Sequence, residues 1–302
     1  MDSLPLDALV IGEALVDIVN RADASSVHAG GSPANVALGL ARLGMNVALL
    51  TDLGRDENGM LVKSHLETSG VTVLKSSFSD RATSRAVATI AADGSASYDF
   101  DVRWSPALDD VPRGATVTHT GSIAVFLAPG GERVRRHLAV STSREITVDP
   151  NIRPALLGSV AESRDIFEET VALATAVKLS DEDARWLYPA LSPDEVLVRL
   201  RALGPRLAVM TLGRGGSKLL AESASVSIPS PLVNVVDTIG AGDSYMASLI
   251  SSLVAQPAGA ITQERVTSIG NLAARAAAIT VSRAGADLPT SHELAASVRL
   301  GV

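Results

Sequence analysis

Cysteine is missing from the 302-residue chain, which removes disulfides, thiolate nucleophiles and cysteine-ligated zinc or iron–sulfur centres. Histidine occurs five times, with no two histidines at metal-ligand spacing, so a histidine-built zinc site is not expected. Aromatic residues make up 3%, too few for the stacking platforms of single-strand nucleic-acid binders. Cationic residues are the minority, 26 against 33 acids, for a net charge of −7. That balance argues against a nucleic-acid or anionic-membrane surface and leaves room for a small cationic pocket. No basic segment precedes the first apolar run and Asp7 interrupts it, so no signal peptide is expected. The longest uncharged stretch, residues 244–263, carries four serines, Gln256 and Pro257 and is too polar to span a bilayer. A soluble, cytoplasmic protein is the expectation.

What is present is a rhythm. Ala8–Ile11 is a compact apolar run suited to a buried strand, and Pro33–Leu43 has helical spacing with Gly44 as terminator. Strand and helix patterns then alternate: strands at 47–50, 71–74, 116–119, 146–148, 176–179, 207–210 and 233–236, and helices at 58–68, 132–140 and from Asp243 and Thr262. Such alternation predicts a largely parallel sheet covered by helices on both faces. Two segments break the rhythm. Glu13–Val19 alternates as a strand straight after the first one, and 84–91 and 95–100 flank the hairpin dipeptide Asp93-Gly94. These predict antiparallel strands leaving the main sheet as a small flap. No repeat or linker divides the chain.

The strongest chemical signal is Asp237-Thr238-Ile239-Gly240-Ala241-Gly242-Asp243, read as a strand–helix junction. Three small residues let backbone N–H groups converge at a helix N-terminus, which makes an anion site. An acid in that first turn can accept the proton of an attacking hydroxyl. A second signal, Gly30-Gly31-Ser32-Pro33-Ala34-Asn35, combines close backbone approach with an amide able to bind hydroxyls. Pro33 has no N–H to donate, so this is no serine-hydrolase elbow. A third, Thr211-Leu212-Gly213-Arg214-Gly215-Gly216, is a turn able to wrap nucleotide phosphates or ribose. Neither a Walker A loop nor a dinucleotide fingerprint occurs.

In this order the motifs resemble the two signatures of the ribokinase-like (PfkB) sugar kinase family, with Tyr245 where Phe is usual and Ser248 where Gly is usual. The resemblance covers essentially the whole chain. It implies a three-layer α/β/α core with a mostly parallel sheet, one domain over 1–302, and a β-strand lid from about 13–31 and 82–104. It implies that Asp243 is the catalytic base and that the amides of Gly240, Ala241 and Gly242 hold the phosphoryl group. Asp17, Gly31 and Asn35 would bind sugar hydroxyls; Thr211, Gly213 and Gly216 would line the nucleotide pocket, with Asn271 near the adenine. Lys178-Leu179-Ser180-Asp181-Glu182-Asp183 stands at the family's Asn-x-x-Glu motif, with Ser180 at the nucleotide and Asp183 holding Mg2+ through water. Asp237, the Ile239 carbonyl and Gly285 match a monovalent-cation region, which implies K+.

Thr120-Gly121-Ser122-Ile123 and Asp149-Pro150-Asn151-Ile152-Arg153-Pro154 resemble the bacterial fructokinase branch, and the latter also 2-keto-3-deoxygluconate kinases. Arg153 would reach the sugar or phosphate, and Arg103 in the flap is a second candidate contact. The implied reaction moves the γ-phosphoryl group of ATP to a primary hydroxyl, with fructose ahead of 2-keto-3-deoxygluconate, ribose or a nucleoside. A catalytically silent sugar-binding module is the non-enzyme alternative, and it would be expected to lose Asp243. The partners are a sugar and ATP, with neither nucleic acid nor membrane, and open flap edges point to a homodimer.

Overall fold

Branched apolar runs form strands here because each ribbon buries both its faces. In Ala8–Ile11, Ala8 and Val10 enter one core and Leu9 and Ile11 the opposite one, all without solvent exposure. A computed structural model describes residues 5–21, 24–90, 96–108, 111–112, 114–255 and 261–300. In chain order the strands are β1 (Ala8–Ile11), β2 (Leu15–Arg21), β3 (Ala24–Gly30), β4 (Val47–Leu50), β5 (Leu53–Gly54), β6 (Val71–Val73), β7 (Phe78–Ser79) and β8 (Arg85–Ile90). They continue with β9 (Ala96–Asp101), β10 (Val117–Gly121), β11 (Glu145–Asp149), β12 (Ala176–Ser180), β13 (Leu207–Thr211), β14 (Ser217–Ala221) and β15 (Ala224–Ile228). The helices are α1 (Ser32–Arg42), α2 (Glu57–Thr68), α3 (Gly130–Ala139), α4 (Val160–Val171), α5 (Asp181–Leu187), α6 (Pro193–Ala202), α7 (Ala241–Val254), α8 (Gln263–Val281) and α9 (Ser291–Leu300).

Among the described residues the main sheet runs β15-β14-β13-β12-β11-β10-β1-β4-β6, parallel from β13 to β6 and antiparallel at β14 and β15. Helices α1, α2, α7 and α8 supply Val36, Val62, Met246 and Val266 to one core. Helices α3 to α6 supply Val134, Phe167, Leu187 and Leu197 to the other. The order reverses between β1 and β10, and such a reversal opens a crevice at the carboxyl ends of the strands. Glu13 and Ser122 follow β1 and β10 there, while Asp149, Ser180 and Thr211 close β11, β12 and β13.

β2, β3, β8 and β9 form a separate four-stranded sheet, β3-β2-β8-β9, with β2 and β8 parallel and the outer pairs antiparallel. Its chain leaves the main sheet after β1 and again before β10. The dipeptide Asp93-Gly94 lies outside the described residues. β2 begins at Leu15, not Glu13, because Glu13 is turned into the buried end of β1.

One expected strand is absent. Residues 233–236 join no sheet, the chain bends at Val236, and the Val236 N–H reaches the Val281 carbonyl at 2.8 Å. The cause lies upstream: Pro229 and Pro231 follow the edge strand β15 and have no N–H to continue its ladder. Val235 and Val236 consequently stay exposed. In their place the sheet is completed by β14 and β15, a hairpin whose alternation of buried and half-exposed residues the sequence reading passed over. No helix among the described residues is long and apolar enough to cross a membrane.

Phe167, on α4, is the largest wholly buried side chain in the second core. Phe167→Ala is expected to cost about 3–5 kcal/mol of folding stability, read by denaturant titration, through lost burial and the cavity left behind.

Candidate active site

Helix α7 opens without a side-chain cap. Its N-cap is Gly240, left-handed at φ 76°, and a Cβ there would lie 2.8 Å from the Ala286 Cβ. The first-turn N–H groups therefore face outward with little internal competition; that of Ala241 reaches the Thr238 carbonyl at 3.3 Å. Asp243, in this first turn, is not used to cap the helix. It is buried, and its two oxygens accept from the Ser32 hydroxyl at 2.6 Å and the Asn35 amide at 2.8 Å. The donors belong to α1, so one carboxylate ties together two motifs more than 200 residues apart.

The tie is possible because α1 and α7 pack closely. A Cβ on Gly39 would come within 2.8 Å of the Ala247 Cβ and 2.6 Å of Leu288. Tyr245, also buried on α7, reaches the main sheet instead, its hydroxyl 2.9 Å from the Ser217 hydroxyl on β14. Burial pushes the Asp243 carboxyl above the usual range, opposed by hydrogen bonds from Ser32 and Asn35 and by the charges of Lys178 and Arg153.

Beside this mouth lies a charged group that the sequence reading did not single out. Lys178 and Asp149, on adjacent strands β12 and β11, form a 2.7 Å ion pair with side chains only 5% and 2% exposed. Burial alone would discharge the lysine, but Asp149, Asp183 and Asp243 around it hold its pKa above the ordinary value. Burial, with a smaller contribution from Lys178, keeps neighbouring His119 neutral, its pKa near 3. Glu13 is likewise buried, with Oε2 unpartnered, and burial pushes its pKa up to about 8 against the Ser122 hydrogen bond and the Arg153 charge. A lysine near the end of an apolar strand and an acid after a Gly carry no spacing signal, so nothing local marks either one.

A cleft of about 1990 Å³ opens between the four-stranded sheet and the α7 mouth, lined in part by Asp17, Gly30, Asn35, Arg153, Asp237 and Gly285. Asp17 leans over Gly30, where a Cβ would fall 2.0 Å from its Oδ2. The cleft walls raise its carboxyl by desolvation, against the charges of His28 and Arg153. Gly31 has φ 106°, and a Cβ there would meet the Glu13 carbonyl at 2.6 Å, so its role is to let α1 start against the end of β1. The Arg153 guanidinium folds back onto the Asn151 side chain at 2.9 Å. Arg103 does not line the cleft; it is exposed, 3.9 Å from Asp101.

The residues expected at the nucleotide gather at the next strand ends. Ser180 and Thr211 are register partners, and Gly213 lies in the turn that follows. Gly216 has φ 86°, and a Cβ there would strike the Ile228 carbonyl at 2.0 Å, so the β13–β14 turn demands glycine. Asn271 is an exposed residue in the middle of α8, not a helix cap. Asp183 is buried, with Oδ1 accepting the Ile152 N–H at 2.7 Å and Oδ2 the Ser180 N–H and hydroxyl. Asp237 accepts the N–H groups of Ile239 and Gly285 at 3.0 and 2.9 Å, which keep it ionised below the usual range. Among the described residues no three acids or histidines cluster as metal ligands.

Residues 6–293 match the pfkB family carbohydrate kinase profile. The chain is 31% identical to fructokinase-1 of Oryza sativa subsp. japonica, over 94% of each chain. It resembles the aminoimidazole riboside kinase from Salmonella enterica, complexed with aminoimidazole riboside and an ATP analog: TM-score 0.82, 25% identity, 96% and 98% of the chains covered. It equally resembles a fructokinase double mutant from Vibrio cholerae O395 in fructose, ADP and potassium ion bound form: TM-score 0.82, 25% identity, 98% and 99% covered.

The buried acid Glu13 makes stability depend on pH. Folding raises its pKa from 4.5 to about 8, so the native state binds the extra proton between those values and stability falls as pH rises across that window. Glu13→Gln is expected to flatten this decline, with a higher melting temperature than the parent at pH 9 and little difference at pH 4; unchanged pH dependence would count against the buried acid.

Proposed function

Because the chain belongs to the pfkB family of carbohydrate kinases and has the ribokinase-like fold, we propose that it phosphorylates fructose from ATP at a primary hydroxyl. It is a phosphotransferase acting on a sugar hydroxyl. The observation that carries the assignment of roles is Asp243, buried at the uncapped mouth of α7 and steadied by Ser32 and Asn35. In the proposed step the sugar hydroxyl attacks the γ-phosphorus, its proton passes to Asp243, and the bond to the bridging oxygen of ADP breaks. The N–H groups of Gly240, Ala241 and Gly242 meet the charge that spreads over the phosphoryl oxygens. A raised carboxyl pKa suits Asp243 to accept that proton near neutral pH.

Asp17 and Asn35 hold the sugar hydroxyls in the cleft, with Gly31 shaping its wall and Arg153 within reach; Arg103 would need to turn inward to take part. Ser180, Thr211, Gly213, Gly216 and Asn271 border the nucleotide. Both Asp183 oxygens already accept protein hydrogen bonds, so Asp183 fits Mg2+ held through water, not directly. Bound there, magnesium supplies charge neutralisation to the phosphates. The loop that Asp237 ties to Gly285, with the Ile239 carbonyl, fits a monovalent cation, and the potassium-bound Vibrio cholerae neighbour supports K+. The four-stranded sheet serves as a lid; β3 and β9 are its open edges, and a homodimer through them in the cytoplasm completes the reading.

Fructose is favoured over a sugar acid because the charges of Asp17 and Asp243 already act on Arg153, whose guanidinium is turned onto Asn151. A riboside is the second reading, on the Salmonella enterica neighbour. Coupled ADP release with fructose, ribose, 2-keto-3-deoxygluconate, adenosine and aminoimidazole riboside is expected to give the highest kcat/KM with fructose; preference for a riboside overturns the acceptor and leaves the kinase. Asp243→Asn is expected to lower kcat by about 10²–10⁴-fold in a folded protein, and near-normal turnover rejects both the base and the silent-module comparison built on it.

A further inference from the structure

The Lys178–Asp149 pair has no structural reason to lie where it does. A cation beside a helix N-terminus is repelled by the aligned peptide dipoles, and a buried ion pair is often no more stabilising than apolar side chains of the same volume. Yet the Lys178 ammonium lies 3.2 Å from where a Cβ on Gly242 would stand, so the missing side chain of Gly242 lets the buried ammonium approach the first turn of α7. Its recorded hydrogen bond is to Asp149 Oδ2, which leaves two of three ammonium protons without an acceptor among the described residues. Asp149, the Asp183 carboxylate and Asp243 surround the ammonium and keep it charged. An anion arriving at the helix mouth would satisfy both the spare protons and the outward N–H groups.

We infer that Lys178, held by Asp149, is a further catalytic residue that donates a hydrogen bond from its ammonium to an oxygen of the transferring phosphoryl group. This rests on the placement of that group at α7 proposed above. As the sugar oxygen bonds to phosphorus and the bond to the ADP oxygen breaks, negative charge on the phosphoryl oxygens grows toward Lys178. The lysine stays protonated throughout; the hydroxyl proton goes to Asp243, and the electron pair leaves with ADP. Asp149 acts through Lys178 and is a positioning residue. Its Oδ1 is buried and unpartnered, so the carboxylate is free to follow the ammonium.

The test separates charge at the mouth from plain packing. In the double variant Asp149→Asn/Lys178→Met neither partner is left as an orphan charge, so folding is expected to persist, checked by circular dichroism and melting temperature. Its kcat with ATP and fructose is expected to fall about 100-fold, with KM for fructose and Kd for ADP within about threefold of the parent. Lys178→Gln is measured beside it and carries the same expectation should the double variant unfold, while Lys178→Arg, which keeps the charge, is expected to retain turnover within about tenfold. A folded double variant or Lys178→Gln with more than about a third of the parental kcat overturns the inference, because a structural pair would show its loss in stability alone. Asp243→Asn in the same assay separates the two readings. If it is inactive while the lysine variants are active, only the role of Lys178 falls; if it is active, the phosphoryl site itself falls.

Discussion

A carboxylate taken out of water between two helices is the constraint around which the rest is arranged. Asp243 is stable there because Ser32 and Asn35 reach it from α1. Those bonds demand that α1 and α7 approach until Gly39 faces Ala247 with no room for a further carbon. The approach in turn demands that α1 begin hard against the end of β1, which is why Gly31 adopts a conformation open to glycine and why its missing side chain matters. Backbone geometry, helix packing and the chemistry of one acid are thus a single condition.

The electrostatics around that acid are lopsided by construction. Glu13, Asp149, Asp183 and Asp243 converge on the crevice, while Lys178 is buried among them and Arg153 stands at its rim. Burial raises the carboxyl groups of Glu13, Asp149 and Asp243, and the charge of Asp243 raises the other two further. The helix mouth opposes them with outward N–H groups and carries no cap of its own. On this contrast rest the roles proposed for the α7 mouth and for Asp243.

Much of this was legible because the signals are local. Ala8–Ile11 reads as a doubly buried strand from four consecutive apolar residues, and Gly44 and Gly70 read as helix ends that the backbone places at φ 92°. The segment 233–236 misled because its three valines sit beyond two prolines, and propensity says nothing about whether a neighbouring strand is free to pair. Asn271, near which the resemblance puts the adenine, lies exposed in the middle of α8, eight residues after the helix begins behind Thr262. Lys178 and Asp149 stand in two of the quoted motifs without a role of their own, because nothing local pairs them until adjacent strands bring them together.

Composition, periodicity and the glycine-bearing motifs pointed to the layered class of fold and to an acid in the first turn of a helix, since strand and helix patterns and their turns are each written within a dozen residues. The tertiary structure alone decided which groups share the burial. Asp243 meets Ser32, Lys178 meets Asp149, and Asp17 leans over Gly30, each pair set by strand register or helix packing across stretches the chain does not encode locally. A charge's meaning depends on the dielectric around it and on its nearest opposite, and both exist only once the layers have closed.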